Sequence, residues 1–381
     1  MNFRIPFHIP DVGAEEVNAA KSAVLDYALS GNGVVGRKLE KYVKKYTGAK
    51  YALFTTSCTS AVEMALMALE IGKGDEVVLP SFSFVSVVNA VVKTGAKPVF
   101  IDIDEETLNV NVELIKRAIT PRTKAIIPVH YAGHSCPMDK IVSIAKKFDI
   151  KIIEDAAQAM GSFYKGRHLG TIGDIGCISF HGTKNLTCGE GGFFLTGNKR
   201  IAQKADVIRE KGTNRSLFLK GKIAKYSWMS IGSSYVQSDI LAAIAIEQLK
   251  KIKWVNKHRK QNAKYLNTHL EKLNKVIKLP VVIKGAESNW HIYAVRLRSR
   301  KERDSFINLL GKNSIECRSH FVPLHTSFFA RKHLGCKKGD FPITERVCDC
   351  LARVPLYPQL TRRDLHYMSE VIEKIISYVQ K

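Results

Sequence analysis

The 381-residue chain has no CxxC pair, no internal repeat, no low-complexity tract, and no apolar run near the roughly 20 residues that a membrane-spanning helix needs. Its longest apolar runs, residues 85–92 and 241–246, fall far short of that length, and the opening MNFRIPFHIP lacks the apolar core of a signal peptide. These absences lead us to expect a soluble cytoplasmic protein with no membrane partner. Eight cysteines, at positions 58, 136, 177, 188, 317, 336, 348 and 350, are scattered along a chain long enough to stabilise itself by burial, so free thiols are expected rather than disulfide staples or a metal site. Hydrophobic residues at 45% and charged residues at 25% are ordinary for a globular protein and exclude disorder, collagen and coiled coil. Neither a GxxxxGK[ST] phosphate loop nor a GxSxG elbow occurs, which removes support for nucleotide hydrolysis and α/β-hydrolase chemistry.

Acidic residues are scarce in one half only. Residues 1–190 hold 22 Lys+Arg against 20 Asp+Glu, whereas residues 191–381 hold 37 against 15, within a net charge of +24. Such a field attracts polyanions, but no helix-turn-helix, zinc finger or RNP signature accompanies it, and many of the lysines form solvated stripes such as Lys250–Lys264. A phosphorylated small substrate, or a plain basic surface, fits better than nucleic acid.

From about residue 50 to 200, short β-branched runs alternate with helix-periodic stretches. Strands are expected at 51–55, 76–79, 98–103, 125–130, 151–154, 177–180 and 193–196, with helices at 60–71, 85–93, 112–119 and 138–148. This alternation predicts an α/β fold with a mainly parallel sheet, covered on both faces, that binds ligands at the carboxyl ends of its strands. After a long helix at 238–273 comes a shorter pattern of strand 291–297, helix 301–310, strand 315–318 and two terminal helices. We expect a large domain over 1–250 and a smaller α+β domain over 251–381.

Two motifs mislead. Gly31, Gly33 and Gly36 spell the dinucleotide GxGxxG, but Val17, Val24 and Ala28 before them give helical spacing where that fingerprint needs a strand. His130, His134 and Cys136 have ligand-like spacing but follow a strand around a glycine, which points to a turn capping the strand.

The informative stretch is Asp155 with Gln158, followed by Ser179 and then Lys184 before a glycine-rich turn. Alone, Asp155 is a helix cap or a functional acid at the ligand edge of the sheet, and Lys184 a surface lysine or the amine of a Schiff base. Together they meet the needs of pyridoxal 5'-phosphate: a lysine to hold the aldehyde and move a proton, and an acid to keep the ring nitrogen protonated. Cys58 and Thr59 lie at a strand-to-helix turn suited to phosphate, and Phe84 leaves a strand end where it either stacks on a flat ring or packs in the core.

These residues, with Gly36, Tyr46–Ala52, Asp75–Phe84, Glu154–Gln158, Ser179–Lys184 and His320–His325, resemble the DegT/StrS family of pyridoxal-phosphate-dependent nucleotide-sugar aminotransferases over essentially the whole chain. The resemblance implies fold type I, a large parallel-sheet domain plus a smaller C-terminal one. It also implies Lys184 as the Schiff-base lysine, Asp155 on the ring nitrogen and Gln158 on the phenolic side. Ser179, Cys58 and Thr59 would hold the phosphate and Phe84 would stack. It further implies a homodimer in which Ser234, where most members carry asparagine, or its neighbours reach the other subunit's cofactor. His320, His325, Trp290 and His291 are expected near the sugar, with core packing an equal alternative for Trp290 and His291.

The spelling of residues 209–235, including Lys211, Arg215, Trp228 and Ser234, is similar to enzymes that make dTDP-4-amino-4,6-dideoxygalactose from L-glutamate and dTDP-4-dehydro-6-deoxyglucose. Lys211 and Arg215 suit a pyrophosphate, or belong to a solvated loop. A C3-specific or GDP/UDP-linked relative, and a non-catalytic one, remain alternatives.

Overall fold

The computed structural model describes residues 3–379. Its central sheet has seven strands: β1 (Tyr51–Thr55), β2 (Glu76–Pro80), β3 (Lys97–Ile101), β4 (Thr123–Ile126), β5 (Lys151–Asp155), β6 (Ile175–Ser179) and β7 (Gly192–Thr196), in the order β1-β7-β6-β5-β4-β2-β3. Only β7 runs against its neighbours, pairing antiparallel with both β1 and β6, so the expected mainly parallel sheet is present.

Adjacent residues in these strands go to opposite faces, and both faces are dry. Ile152, Ile178 and Phe193 join one core with Leu39, Val43, Ile246 and Val255; Ile153, Cys177 and Phe194 join another with Val62, Leu66, Val87 and Val91. Burial on both sides explains the near-continuous apolar spelling of the strands, and helices on both faces follow from it.

Beyond residue 290 a second, three-stranded antiparallel sheet forms from β8 (Tyr293–Arg296), β9 (Arg318–Ser319) and β10 (Leu351–Val354), with β10 in the middle. The sequence reading missed β10. Four residues of mixed apolar pattern do not distinguish strand from helix, and two terminal helices were expected where three occur, Phe328–His333, Pro342–Cys350 and Arg362–Val379.

One helix, Asp239–Leu270, serves both units. Its residues up to Val255 pack in the large core, and those from Ala263 onward pack with Tyr293, Phe306 and Ile372 in the small one, which also takes Ile5 from the start of the chain. We propose that the large and small units, expected to divide at 250/251, meet slightly later in this helix, between Val255 and Ala263.

The GxGxxG spelling has a structural use. Gly33 precedes helix Val34–Thr47, and the Asp239 carboxylate accepts hydrogen bonds from the backbone N–H groups of Gly33, Val35 and Gly36 at 3.2, 3.0 and 3.0 Å. A Cβ on Gly33 would sit 2.1 Å from that carboxylate, so a side chain there would displace the cap. The chain's own anion fills the place that a dinucleotide phosphate takes at a helix start.

Asp239 is 1% exposed. Asp239→Ala, which strands three N–H donors, is expected to cost about 2–4 kcal/mol in denaturant unfolding. A change within experimental error would show that the helix start does not depend on this cap.

Candidate active site

The carboxyl ends of β1, β2, β5 and β6 open into a cavity of about 610 Å³. Its lining includes Cys58, Thr59, Phe84, Asp155, Gln158, Ser179, Lys184, His291 and His320, which the sequence reading had singled out. Lys184 sits at the tip of the connection from β6 to β7, which backbone bonds Phe180 N to Gly191 O and Gly182 N to Gly189 O, both 2.8 Å, close into a narrow loop. Among the described residues its ammonium has no ion-pair partner within 4 Å. Burial lowers its pKa, against Cys58 and Asp155, which raise it. The amine is therefore close to a carboxylate without being captured by it.

Asp155 ends β5, 6% exposed, and its Oδ1 accepts from the Ala157 N–H at 3.0 Å. Burial pushes its carboxyl up, while the Ala157 N–H, Lys184 and His130 pull it down. Behind it Glu154 is wholly buried and accepts from the backbone N–H groups of Gly170, Ile172 and Gly173 at 2.8, 2.6 and 2.6 Å and from His130 Nε2 at 3.0 Å. His130 Nδ1 accepts from Cys136 N at 3.2 Å, so Nε2 carries the proton that Glu154 receives. His134 turns elsewhere, to Ser288 at 2.8 Å. Of the three residues of the ligand-like spacing, His130 and Cys136 thus share one network and His134 serves another.

Gln158 Oε1 accepts from Ala132 N at 2.6 Å, which leaves its amide N–H groups free to donate. Ser57 caps helix Cys58–Ala68 by accepting from Ser60 N at 3.0 Å. The capping side chain is thereby spent, and the first-turn N–H groups of Cys58 and Thr59 face the cavity with the positive end of the helix. A Cβ on Gly192 would lie 2.3 Å from Ser57, so β7 approaches this turn only as glycine. Ser179 Oγ accepts from His181 N at 3.2 Å and keeps its own O–H to donate. Phe84, 59% exposed, stands at the mouth. An anion cradle, a flat slot, a free amine and a buried acid in one cavity fit pyridoxal 5'-phosphate.

His291 and Asn185 join the two units. Asn185 Nδ2 donates to Asn289 O at 3.2 Å and its Oδ1 receives His291 Nδ1–H at 2.9 Å, leaving His291 Nε2 an acceptor toward the cavity. Burial, then Lys184 and Arg259, hold His291 well below the usual histidine range, so it is neutral. His320 Nδ1 lies 3.1 Å from the Tyr131 hydroxyl and is pushed down to about 2 by burial, Arg353 and Lys184.

Five expected residues do not line this cavity. His325, 0% exposed, spans Ser81 Oγ at 2.7 Å and Glu345 at 2.9 Å, so both ring nitrogens are consumed within the fold. Trp290 packs its ring in the small core while its carbonyl accepts from Arg259 Nε at 2.9 Å. Lys211, Arg215 and Ser234 lie on the segment after helix Lys199–Arg209, where Arg215 meets Glu210 at 3.3 Å and Ser234 is exposed.

The cavity also holds residues that were not anticipated: Phe7, His8, His130, Arg259, Glu316, Arg318 and Arg353. Arginine inside the apolar run Leu351–Val354 is the one local signal that pointed to Arg353.

Comparison with known proteins gives the same answer. The chain matches the DegT/DnrJ/EryC1/StrS aminotransferase family model over residues 10–375. It is 41% identical to the uncharacterized protein MJ1066 of Methanocaldococcus jannaschii, across 99% of this chain and 98% of that one. It is 34% identical to the spore coat polysaccharide biosynthesis protein SpsC of Bacillus subtilis, across 98% of each. Among solved structures, the aminotransferase from Psychrobacter cryohalolentis superposes with a TM-score of 0.93 at 28% identity, covering 99% of this chain and 100% of that one. Spr1654 from Streptococcus pneumoniae, in its PLP form, superposes with a TM-score of 0.90 at 26% identity, covering 98% and 99%. Among the described residues no helix is long and apolar enough to cross a membrane. Sheet order, cavity and relatives agree, and the chain belongs to the DegT/DnrJ/EryC1/StrS family of pyridoxal-phosphate-dependent sugar aminotransferases, with fold type I.

Proposed function

We propose that the chain transfers an amino group from L-glutamate to the 4-keto carbon of dTDP-4-dehydro-6-deoxy-D-glucose, giving dTDP-4-amino-4,6-dideoxy-D-galactose, with Lys184 as the catalytic residue. The observation that carries the chemistry is the convergence of Lys184, Asp155 and the Cys58–Thr59 turn on one cavity. When bound, pyridoxal 5'-phosphate supplies an aldehyde and an electron-accepting ring. Lys184 is the residue whose amine would hold that aldehyde. The lysine, whose charged form burial disfavours, would take the proton from the donor's α-carbon and return it to the neighbouring carbon. In the second half the same amine serves C4 of the sugar, from the face it occupies.

Asp155 would keep the ring nitrogen protonated, Gln158 would donate its free amide N–H to the phenolic oxygen, and Phe84 would cover the ring. Ser179, Cys58 and Thr59 would take the phosphate oxygens with hydroxyl and backbone donors. His291 Nε2 would accept a sugar hydroxyl, and neutral His320 would contact the sugar.

The spelling of residues 209–235 supports the dTDP-linked 4-keto substrate, and the name of SpsC supports a surface-polysaccharide destination. Trp228, Ile231, Phe84 and Val85 are large apolar side chains left exposed, which supports a homodimer carrying Lys211, Arg215 and Ser234 to the second subunit's site. Eight free thiols support a reducing, cytoplasmic setting.

The test is a spectrum of the purified protein with cofactor. L-glutamate is expected to bleach the bound-cofactor band and dTDP-4-dehydro-6-deoxyglucose to restore it. Restoration by a C3-keto, GDP- or UDP-linked sugar instead would keep the aminotransferase and replace the acceptor. Lys184→Ala is expected to lose about 1,000-fold or more in turnover, and a variant that still aminates sugar would sink the assignment. Because burial holds the Lys184 amine below the free value of 10.5, its reactive neutral form appears at lower pH. Capture of cofactor by apo-protein, followed by absorbance, is expected to rise with pH about a midpoint below that of free lysine; a midpoint at or above it would contradict the buried-amine account.

A further inference from the structure

His291 and His320 both line the cavity, and in each ring one nitrogen is bonded within the fold while the other is left for a ligand. Their surroundings decide which nitrogen carries the hydrogen. At His291 its place follows from Asn185. A backbone carbonyl only accepts, so the Asn185 amide must turn Nδ2 to Asn289 O, at 3.2 Å, and Oδ1 to His291 Nδ1, at 2.9 Å. Nδ1 therefore holds the hydrogen, and Nε2 offers a lone pair.

At His320 the partner is Tyr131, whose hydroxyl lies 3.1 Å from Nδ1. Tyr131 is 1% exposed, with its ring centre 4.8 Å from that of Phe82 and 5.9 Å from that of Phe321, and its backbone N–H is held by Asn109 Oδ1 at 3.1 Å. Burial pushes its hydroxyl up, so it keeps its proton. Among the described residues Nδ1 of His320 is the one acceptor for that proton. Were Nδ1 to donate instead, the phenolic O–H would be buried without a partner, a cost that the other tautomer avoids. Tyr131 therefore donates, Nδ1 accepts, and the hydrogen of this neutral ring sits on Nε2. The charge of Lys184 is felt at both histidines, which puts them beside the reacting amine.

We propose that Tyr131 fixes His320 as an Nε2–H donor for the keto oxygen of the acceptor sugar, while Asn185 fixes His291 in the opposite tautomer for a hydroxyl. This rests on the aminotransferase reading above and gives the two histidines separate tasks, with Tyr131 and Asn185 as positioning residues. A keto oxygen carries lone pairs and no hydrogen, so of the two rings only His320 can bond it; a hydroxyl can give its hydrogen to His291. An N–H aimed at the carbonyl oxygen draws electrons from the carbon that is to receive nitrogen. His320 gives a hydrogen bond and keeps its proton.

The experiment is NMR of the cofactor-loaded protein with its histidine rings labelled in nitrogen, where protonated and unprotonated ring nitrogens resonate in separate regions. Signals among the 12 histidines are assigned by their loss in His320→Gln and His291→Gln. At neutral pH His320 is expected to carry its hydrogen on Nε2 and His291 on Nδ1. Tyr131→Phe is expected to release His320 into a mixture of tautomers and to leave His291 as it was. Calorimetry with dTDP-4-dehydro-6-deoxyglucose on the pyridoxal-loaded form, which has no amino group to transfer, is expected to show about 5-fold weaker binding in Y131F. The acceptor half-reaction is expected to slow about 10-fold, and the glutamate half-reaction to change less than about twofold. A glutamine amide can place an N–H where Nε2–H lies and an asparagine amide cannot, so H320Q is expected to keep about fivefold more of the acceptor half-reaction than H320N.

A hydrogen on Nδ1 of His320 in the wild type overturns the proposal, as does a Y131F spectrum with His320 unchanged. So would a Y131F protein that loses the single tautomer yet binds and aminates the keto sugar as before, or equal losses in both half-reactions, which would mark a packing role for the hydroxyl. If Y131F does not fold, the wild-type spectrum and the order of H320Q and H320N decide, with H320N at or above H320Q counting against the donor. If glutamate does not bleach the band, or no keto sugar restores it, the aminotransferase reading fails by itself, and the spectra together with keto-sugar calorimetry on Y131F still decide the tautomer and its donor role.

Discussion

The site depends on keeping a lysine amine next to a carboxylate without letting the two form an ion pair. A captured ammonium could neither attack an aldehyde nor take a proton from carbon, whereas a solvated one would be charged at ordinary pH. Asp155 is anchored by the N–H of Ala157 at the end of one strand, and Lys184 stands on the loop leaving the next. Burial then lowers the lysine, while the acid remains available to the nitrogen of a ring that would lie between them.

Much of the surrounding architecture can be understood as support for that separation. Glu154 and His130 lock the back of β5 through four hydrogen bonds to one carboxylate, so the strand that carries Asp155 cannot slide. Leaving such a charge buried without these partners would cost several kcal/mol. Asn185, the residue after the lysine, ties the loop to His291 and Asn289, and Arg259 ties their segment to the long helix shared by both units. The active lysine and the small unit are thereby mechanically coupled, and the cavity is as rigid as the junction of the two cores.

The basic second half of the chain has several physical uses. Some of its cations are solvated, some serve as struts, and one is buried against Phe7 without a counter-charge. Net charge pointed to an anionic ligand and favoured small phosphorylated molecules over nucleic acid, but it could not separate these roles. The GxGxxG spelling is a similar case: Asp239, more than 200 residues away, occupies the helix start that the glycines expose.

What could be read from residue order was local and periodic. Alternation of short apolar runs with helical stretches determined the parallel sheet, because burial on both faces forces that spelling. Asp155 and Lys184 stood out because polar residues at strand ends interrupt it. The helix-start turn at Ser57–Ser60 was visible for the same reason, since capping chemistry is set within four residues. Which distant groups share the cavity was decided only by tertiary structure. Phe7, Arg259 and Arg353 come from the start of the chain, a long helix and a four-residue strand, and no periodicity links them. His325 and Trp290 carried the look of ligand residues, yet their surroundings in the fold consume the one's ring nitrogens and bury the other's ring. Contacts between residues hundreds of positions apart depend on how two cores dock, and that is a property of the packed volume rather than of any window of sequence.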